Sequence, residues 1–134
     1  MQTTFTFQTR GPGLYEFTPH LRDWVHGEGV LTLFIRHTSA SLLIQETAAP
    51  EVQTDLLNWL DRLVPQADDP RMAFLRHRDE GPDDMPAHLK AALLPTSLQI
   101  PVIGGRMALG TWQGVYLVEH RTRPHRREVV AMLH

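Results

Sequence analysis

Apolar and polar positions alternate, cluster and break along this chain in ways that separate two kinds of element. Residues 3–9, TTFTFQT, alternate with period two as far as Gly11-Pro12-Gly13, which predicts a strand followed by a turn. The stretch 17–29 reads as a short helix, with Thr18 as N-cap, Pro19 at the first helical position and a glycine-rich end. From Val30 to Ile44 the sequence is too β-branched and too alternating for a helix, and predicts one long or bent strand, or a tight pair. Between Pro50 and Pro65, Val52, Leu56, Trp59, Leu60 and Leu63 recur at helical spacing and predict a helix over 50–64. A polar, proline-containing stretch at 65–83 leads to another helix from about Asp84 to Leu94, stopped by Pro95. The remainder, SLQIPVI through RMALGTWQGVYLVEHR to REVVAML, divides into three or four strands at Gly and Pro turns.

Strands and helices are thus segregated, and the connections are too short for repeated βαβ crossovers. The pattern predicts an α+β fold: one compact domain over 1–134, a mostly antiparallel sheet or sandwich with two to three helices. A chain of 134 residues suffices for one real core. With 42% hydrophobic and 21% charged residues the composition is that of a folding domain, not of a disordered one.

Charge then removes one class of partner. The formal net charge is −2 and the arginines are scattered, which excludes a dedicated nucleic-acid binder built on a basic surface. Lys90 is the only lysine; arginine suits bidentate contacts, so phosphorylated small molecules stay open as partners. The chain has no cysteine, so any transition metal must be held by His, Asp or Glu. No run approaches the ~20 apolar residues of a membrane span, and MQTTFTFQTRGPG carries no leader pattern. The expectation is a cytoplasmic protein without a membrane partner.

Candidate chemistry appears where apolar rows turn polar. Residues two apart on a strand share a face, so Leu31, Leu33 and Ile35 form a row that His37, Ser39 and Ser41 continue if the strand runs straight. Tyr116 and Val118 lead in the same way to His120, and Val115 and Leu117 lead to Glu119 and Arg121. Each such histidine also has a structural reading as a hydrogen-bonded core residue. The stretch HRDEGPDDMPAHLK, 77–90, adds two histidines and four carboxylates. On a helix beginning at Asp84, Asp84 and His88 stand at i and i+4 on one side, an arrangement that serves metal ligation or lets a carboxylate orient an imidazole. Alternatively Asp83 or Asp84 caps the helix and His88 faces water. The sharpest expectation is that His77, His88 and His120 converge on one divalent cation, with three imidazoles favouring Zn over Mg. For the turn at 109–114, Trp112 either stacks on a heteroaromatic ring or packs in the core or a subunit contact.

HTSASLLIQE (37–46), EGPDDMPAHLK (80–90), LGTWQGVYLVEHR (109–121) and RREVVAML (126–133) together resemble the YjbQ family, over nearly the whole chain and in order. Members of that family have been described as secondary thiamine-phosphate synthases. The resemblance implies a compact α+β fold, a homotrimer, a cytosolic setting and a weak thiamine-phosphate synthase-type transferase activity joining a pyrimidine pyrophosphate to a thiazole phosphate. It implies a shared site that includes His37, Ser39, Ser41, Glu46, Asp84, His88, Glu119, His120 and Arg121, with Trp112 and Gln113 in the matching glycine turn; of these, His37, Glu46, Asp84 and Glu119 are expected as catalytic groups, and Ser39, Ser41, Trp112, Gln113 and Arg121 as substrate-binding ones. Asp83 belongs to the same motifs. One departure is that Gln45-Glu46-Thr47 and Ala49-Pro50 stand where the family commonly shows Asn-Glu-Asn and Asp-Pro. Two other readings compete: a metal-dependent hydrolase of a small phosphorylated metabolite, which the histidines suit, and a non-catalytic metabolite-binding protein.

Overall fold

The computed structural model describes residues 1–134. Along the chain run β1 (Gln2–Gln8), β2 (Gly13–Glu16), α1 (Thr18–Trp24), β3 (Gly29–Ile35), β4 (Ala40–Glu46), α2 (Pro50–Leu63) and α3 (Asp84–Leu93). The strands β5 (Ser97–Ile103), β6 (Arg106–Met107), β7 (Gln113–Glu119) and β8 (Arg126–Leu133) complete it. They form two antiparallel sheets, a five-stranded one in the order β1-β8-β3-β5-β6 and a three-stranded one in the order β2-β7-β4. The fold is α+β, as the segregated pattern predicts.

The segment 30–44 is neither a straight strand nor a hairpin. β3 lies in the large sheet and β4 in the small one, and residues 36–39 carry the chain between the layers. The inward-facing parity slips by one in this crossing, from odd positions in β3 (Leu31, Leu33, Ile35) to even ones in β4 (Ala40, Leu42), so the row expected to run on through His37, Ser39 and Ser41 breaks after Ile35. β2, four residues long, has too little pattern to stand out from its turn. Thr18 is the first residue of α1 and Phe17 its N-cap; the Thr18 hydroxyl accepts from the Val115 N–H instead.

The core lies between the sheets. Leu31, Leu33, Ile35, Ile100, Val102, Val129 and Ala131 face it from the large sheet, and Ala40, Leu42, Val115 and Leu117 from the small one. Phe17, Leu21 and Val25 complete the cluster from the region of α1. β7 is buried on both faces: its other row, Tyr116 and Val118, is covered from the helical side, where Gln53 of α2 donates to the Tyr116 hydroxyl at 3.2 Å. At about 25 cal/mol per Å² of apolar surface, each of these large buried side chains contributes roughly 1.5–3 kcal/mol.

The apolar rows of β7 end where the chain becomes polar, and each ending is distinct. The core-facing row closes on Glu119, wholly buried, whose carboxylate meets the Arg127 guanidinium of β8. This ion pair therefore joins the two sheets. Arg127 precedes Val129 and Ala131 on the same face of β8, so the polar end of one sheet's inner row meets the polar end of the other's. A lone buried charge would cost several kcal/mol, and each partner offsets the other's loss of water.

Candidate functional site

Around the C-terminal end of β7 the chain brings several ionisable side chains together. Arg121, buried, donates from Nε to Asp83 Oδ2 at 2.8 Å, from Nη1 to Asp84 Oδ1 at 2.8 Å and from Nη2 to the Glu80 carbonyl at 3.1 Å. Asp83 also accepts from the Thr122 N–H at 3.0 Å. Burial by itself would push the Asp83 carboxyl up; the Arg121 guanidinium and the Thr122 amide outweigh it and hold the group at about 2. Neither aspartate spends its side chain on capping α3, so Asp84 projects from its first turn with one oxygen on Arg121 and the other on His77, whose Nε2 lies 2.8 Å away.

His88, one turn further along α3, places Nε2 3.4 Å from Asp84 Oδ1, and its Nδ1 lies 2.8 Å from the carbonyl of Thr38. One ligand atom from each of His77, Asp84 and His88 lies within 4.8 Å of the others. The two imidazole rings stand 5.9 Å apart, centre to centre. The i,i+4 step on a helix that starts at Asp84 supplies two of the three, and the loop before the helix returns the third. A cleft of about 270 Å³ beside them is lined by His37, Thr38, His88, Ala91, Ala92 and Thr96. His37 accepts the Glu128 N–H on Nε2 at 2.8 Å, so its proton resides on Nδ1. Burial, and then the charge of Arg127, pushes its pKa down.

Other predicted site residues are placed elsewhere. His120, expected as the third imidazole on the cation, lies outside the group; its Nε2 meets Ser41 Oγ at 2.9 Å, and Asp84 takes its place beside His77 and His88. His120 continues the Tyr116–Val118 row, which puts it near buried Lys90 and the exposed Asp61 that Lys90 meets at 2.6 Å, whereas its neighbour Arg121, on the opposite parity, is the one that reaches Asp84. Burial, followed by the charge of Lys90, pushes His120 down to about 4. Glu119, expected among the catalytic groups, is enclosed. Thr9 donates to it at 2.6 Å, Arg127 Nε at 2.8 Å, and the amides of His120 and Arg121 at 3.1 Å each. It acts as a positioning residue that fixes the backbone carrying His120 and Arg121. Ser39 and Ser41, expected at the substrate, are buried, with Ser39 engaged by Arg127 and Ser41 by His120.

Glu46, Trp112 and Gln113 lie at the far end of the small sheet. Register fixes this: Ala40 pairs with Glu119 and Glu46 with Gln113, so seven residues of strand, roughly 20 Å at about 3.3 Å per residue, separate the two sets. Within one chain the expected site is therefore split in two. Sequence reasoning missed Arg127, although the alternation of Arg127, Val129 and Ala131 already places an arginine on an apolar face.

Comparison with known proteins adds the family. The family model described as UPF0047 protein YjbQ-like matches residues 3–134, and the chain belongs to this family. It is similar to UPF0047 protein sll1880 of Synechocystis, 50% identical over 133 residues that cover 96% of this chain and 88% of the relative. UPF0047 protein YjbQ of Salmonella typhimurium is 38% identical, over 98% of this chain and 96% of the relative. Among solved structures, the conserved hypothetical protein TT1486 from Thermus thermophilus superposes with a TM-score of 0.87 at 34% identity, covering 98% of this chain and 99% of that one.

Proposed function

We propose that this protein is a cytosolic, metal-dependent hydrolase of a small phosphorylated metabolite, with one divalent cation held by His77, Asp84 and His88. The tautomer of His88 carries the reading. A backbone carbonyl only accepts, so Nδ1 bears the proton toward Thr38, and neutral His88 keeps a lone pair on Nε2 only 3.4 Å from Asp84 Oδ1. A lone pair beside a carboxylate oxygen is repulsive, and a cation shared between them turns that repulsion into ligation. The Thr38 carbonyl then plays the orienting part that outer hydrogen bonds play for metal-bound imidazoles.

Two imidazoles and a carboxylate suit Zn²⁺ or Mn²⁺ better than Mg²⁺, and three protein ligands leave positions for water and substrate. A cation so held lowers the pKa of bound water and polarises a phosphoryl oxygen. His37, across the same cleft, offers an Nδ1–H donor to a substrate oxygen. Arg121 spends its donors on Asp83, Asp84 and Glu80, so its part is to hold Asp84 in place. The transferase expected from the family resemblance draws on Glu46, Trp112 and the glycine turn, which this chain holds at the other end of the small sheet. Within a single chain, that separation favours the hydrolase, whose candidate ligands all lie at one end. The reading includes assembly as a homotrimer, which follows the family resemblance, and an exposed apolar face along α2 and α3 offers a surface for contact between chains.

Chelator-treated protein titrated with Zn²⁺ should bind one cation per chain, and His88→Ala and Asp84→Asn should each lose it while His120→Ala keeps it. Equal metal content in wild type and His88→Ala would refute the site. A panel of phosphomonoesters assayed with and without Zn²⁺ or Mn²⁺, beside thiamine-phosphate synthesis from the two precursors, separates hydrolase from transferase.

A further inference from the structure

We infer that a second binding site, separate from the His77–Asp84–His88 group, takes a small organic phosphate: an anionic head on an apolar or aromatic body. It is a cleft of about 450 Å³, within the range of small-molecule pockets, bordered by Arg22, Arg106, Gly110, Gln113 and the apolar Val25, Met107 and Leu109. Gln113 opens β7, whereas Arg121 lies beyond its other end, so this cleft and the candidate metal group occupy opposite ends of the small sheet.

Arg22 sits in the last turn of α1 and Arg106 on β6, far apart in sequence. Backbone geometry joins them. Gly104 and Gly105, at φ +59° and +80°, fold β6 back on β5, a conformation that side-chain-bearing residues resist. The Gly105 N–H then donates to the Gly27 carbonyl at 2.8 Å, tying the hairpin to the loop after α1. The fold thereby brings Arg22 and Arg106 to the border of one concavity.

The polar groups available there are nearly all donors. Neither Arg22 nor Arg106 has a hydrogen-bond or ion-pair partner in the protein, and no carboxylate borders the cleft. Gln113 spends its Oε1 on the Gly110 N–H at 2.8 Å, which leaves its NH₂ as the free end. A donor-rich rim of charge +2 calls for an acceptor-rich anion, and guanidinium matches phosphate with paired hydrogen bonds. Val25, Met107 and Leu109 beneath it give the remainder of such a ligand an apolar surface.

Phenylphosphonate, which has both parts and resists hydrolysis, tests this by isothermal titration at about 0.15 M salt, where long-range charge effects are screened. Wild type should bind it saturably, one per chain, and more tightly than inorganic phosphate. Arg22→Ala and Arg106→Ala should each weaken binding at least about tenfold, with Arg106→Lys restoring part of it. Both side chains are exposed and unpartnered, so these variants keep the wild-type thermal midpoint. His88→Ala, which disables the candidate metal group, should bind the probe like wild type. Absence of saturable binding, wild-type affinity in both alanine variants, or loss of binding in His88→Ala would each overturn the proposal, the last by transferring the probe to the other site.

Discussion

At the scale of single residues, parity and burial sort the polar groups that end the strands into two jobs. Glu119 and Arg127 meet between the sheets and hold architecture, while His77 and His88, both partly exposed, bring buried Asp84 to the edge of the surface. His120 belongs with the first set, and its burial has a consequence that can be measured. Its folded pKa lies at about 4, whereas the unfolded imidazole titrates near 6.5. Between those values the unfolded chain takes up a proton that the folded chain refuses, so stability rises with pH across the window. On the order of 3 kcal/mol should be lost as pH falls from 7 to 4, read from urea midpoints. His120→Gln, which retains a partner for Ser41, should flatten this window and leave the acid loss below it. Asp83, held at about 2, and Glu119, also lowered, contribute stability above their unfolded values that is lost only in more acid solution. An unchanged slope in His120→Gln would remove His120 as the titrating group.

At the scale of elements, most of the fold is legible because helices and strands bury different periods. α2 follows from its spaced apolar residues between prolines, and the Asp84–His88 pair follows from one turn of α3. Contacts across elements are not written locally: the change of sheet after Ile35, the Glu119–Arg127 pair and the Arg22–Arg106 cleft all depend on which strands become neighbours. Even α2 is only half legible, since Leu60 is buried while Trp59 and Leu63 of the same predicted stripe are exposed. The glycine turn before β7 shows the same division. Gly110 and Gly114 look alike in the sequence, and both have ordinary φ. A Cβ on Gly114 would clash with the Thr47 side chain and approach Glu16 Oε2 to 2.8 Å, whereas one on Gly110 would meet only Gln113 at 3.4 Å. Gly114→Ala should therefore destabilise by about 1–3 kcal/mol through strain where β2, β4 and β7 meet. Gly110→Ala should stay within about 0.5 kcal/mol of wild type, and equal denaturation midpoints for the two variants would contradict the steric argument.

At the scale of the whole molecule, the surface is uneven in a way that bears on assembly. The core between the sheets is closed, and no helix is long and apolar enough to cross a membrane, yet Trp59, Leu63, Phe74 and Leu93 are each more than half exposed. Leu63, Phe74 and Leu93 border a groove of about 580 Å³ with Val64, Met72 and Leu89, backed by a small apolar cluster of Val64, Ala67, Met72 and Leu75. Contiguous exposed apolar surface of this kind marks contacts between chains more often than isolated side chains do. If the proposed homotrimer forms through this face, light scattering after size exclusion should give three times the 15.3 kDa chain mass. Placing a charge in the contact should then be costly, because an unpaired carboxylate loses its water without gaining a partner. Phe74→Asp, being mostly exposed in the single chain, should leave the fold intact by circular dichroism and lower the mass to that of one chain. A trimer that survives both Phe74→Asp and Leu93→Glu would place the subunit contact elsewhere, and a wild-type mass of a single chain would refute the trimer itself.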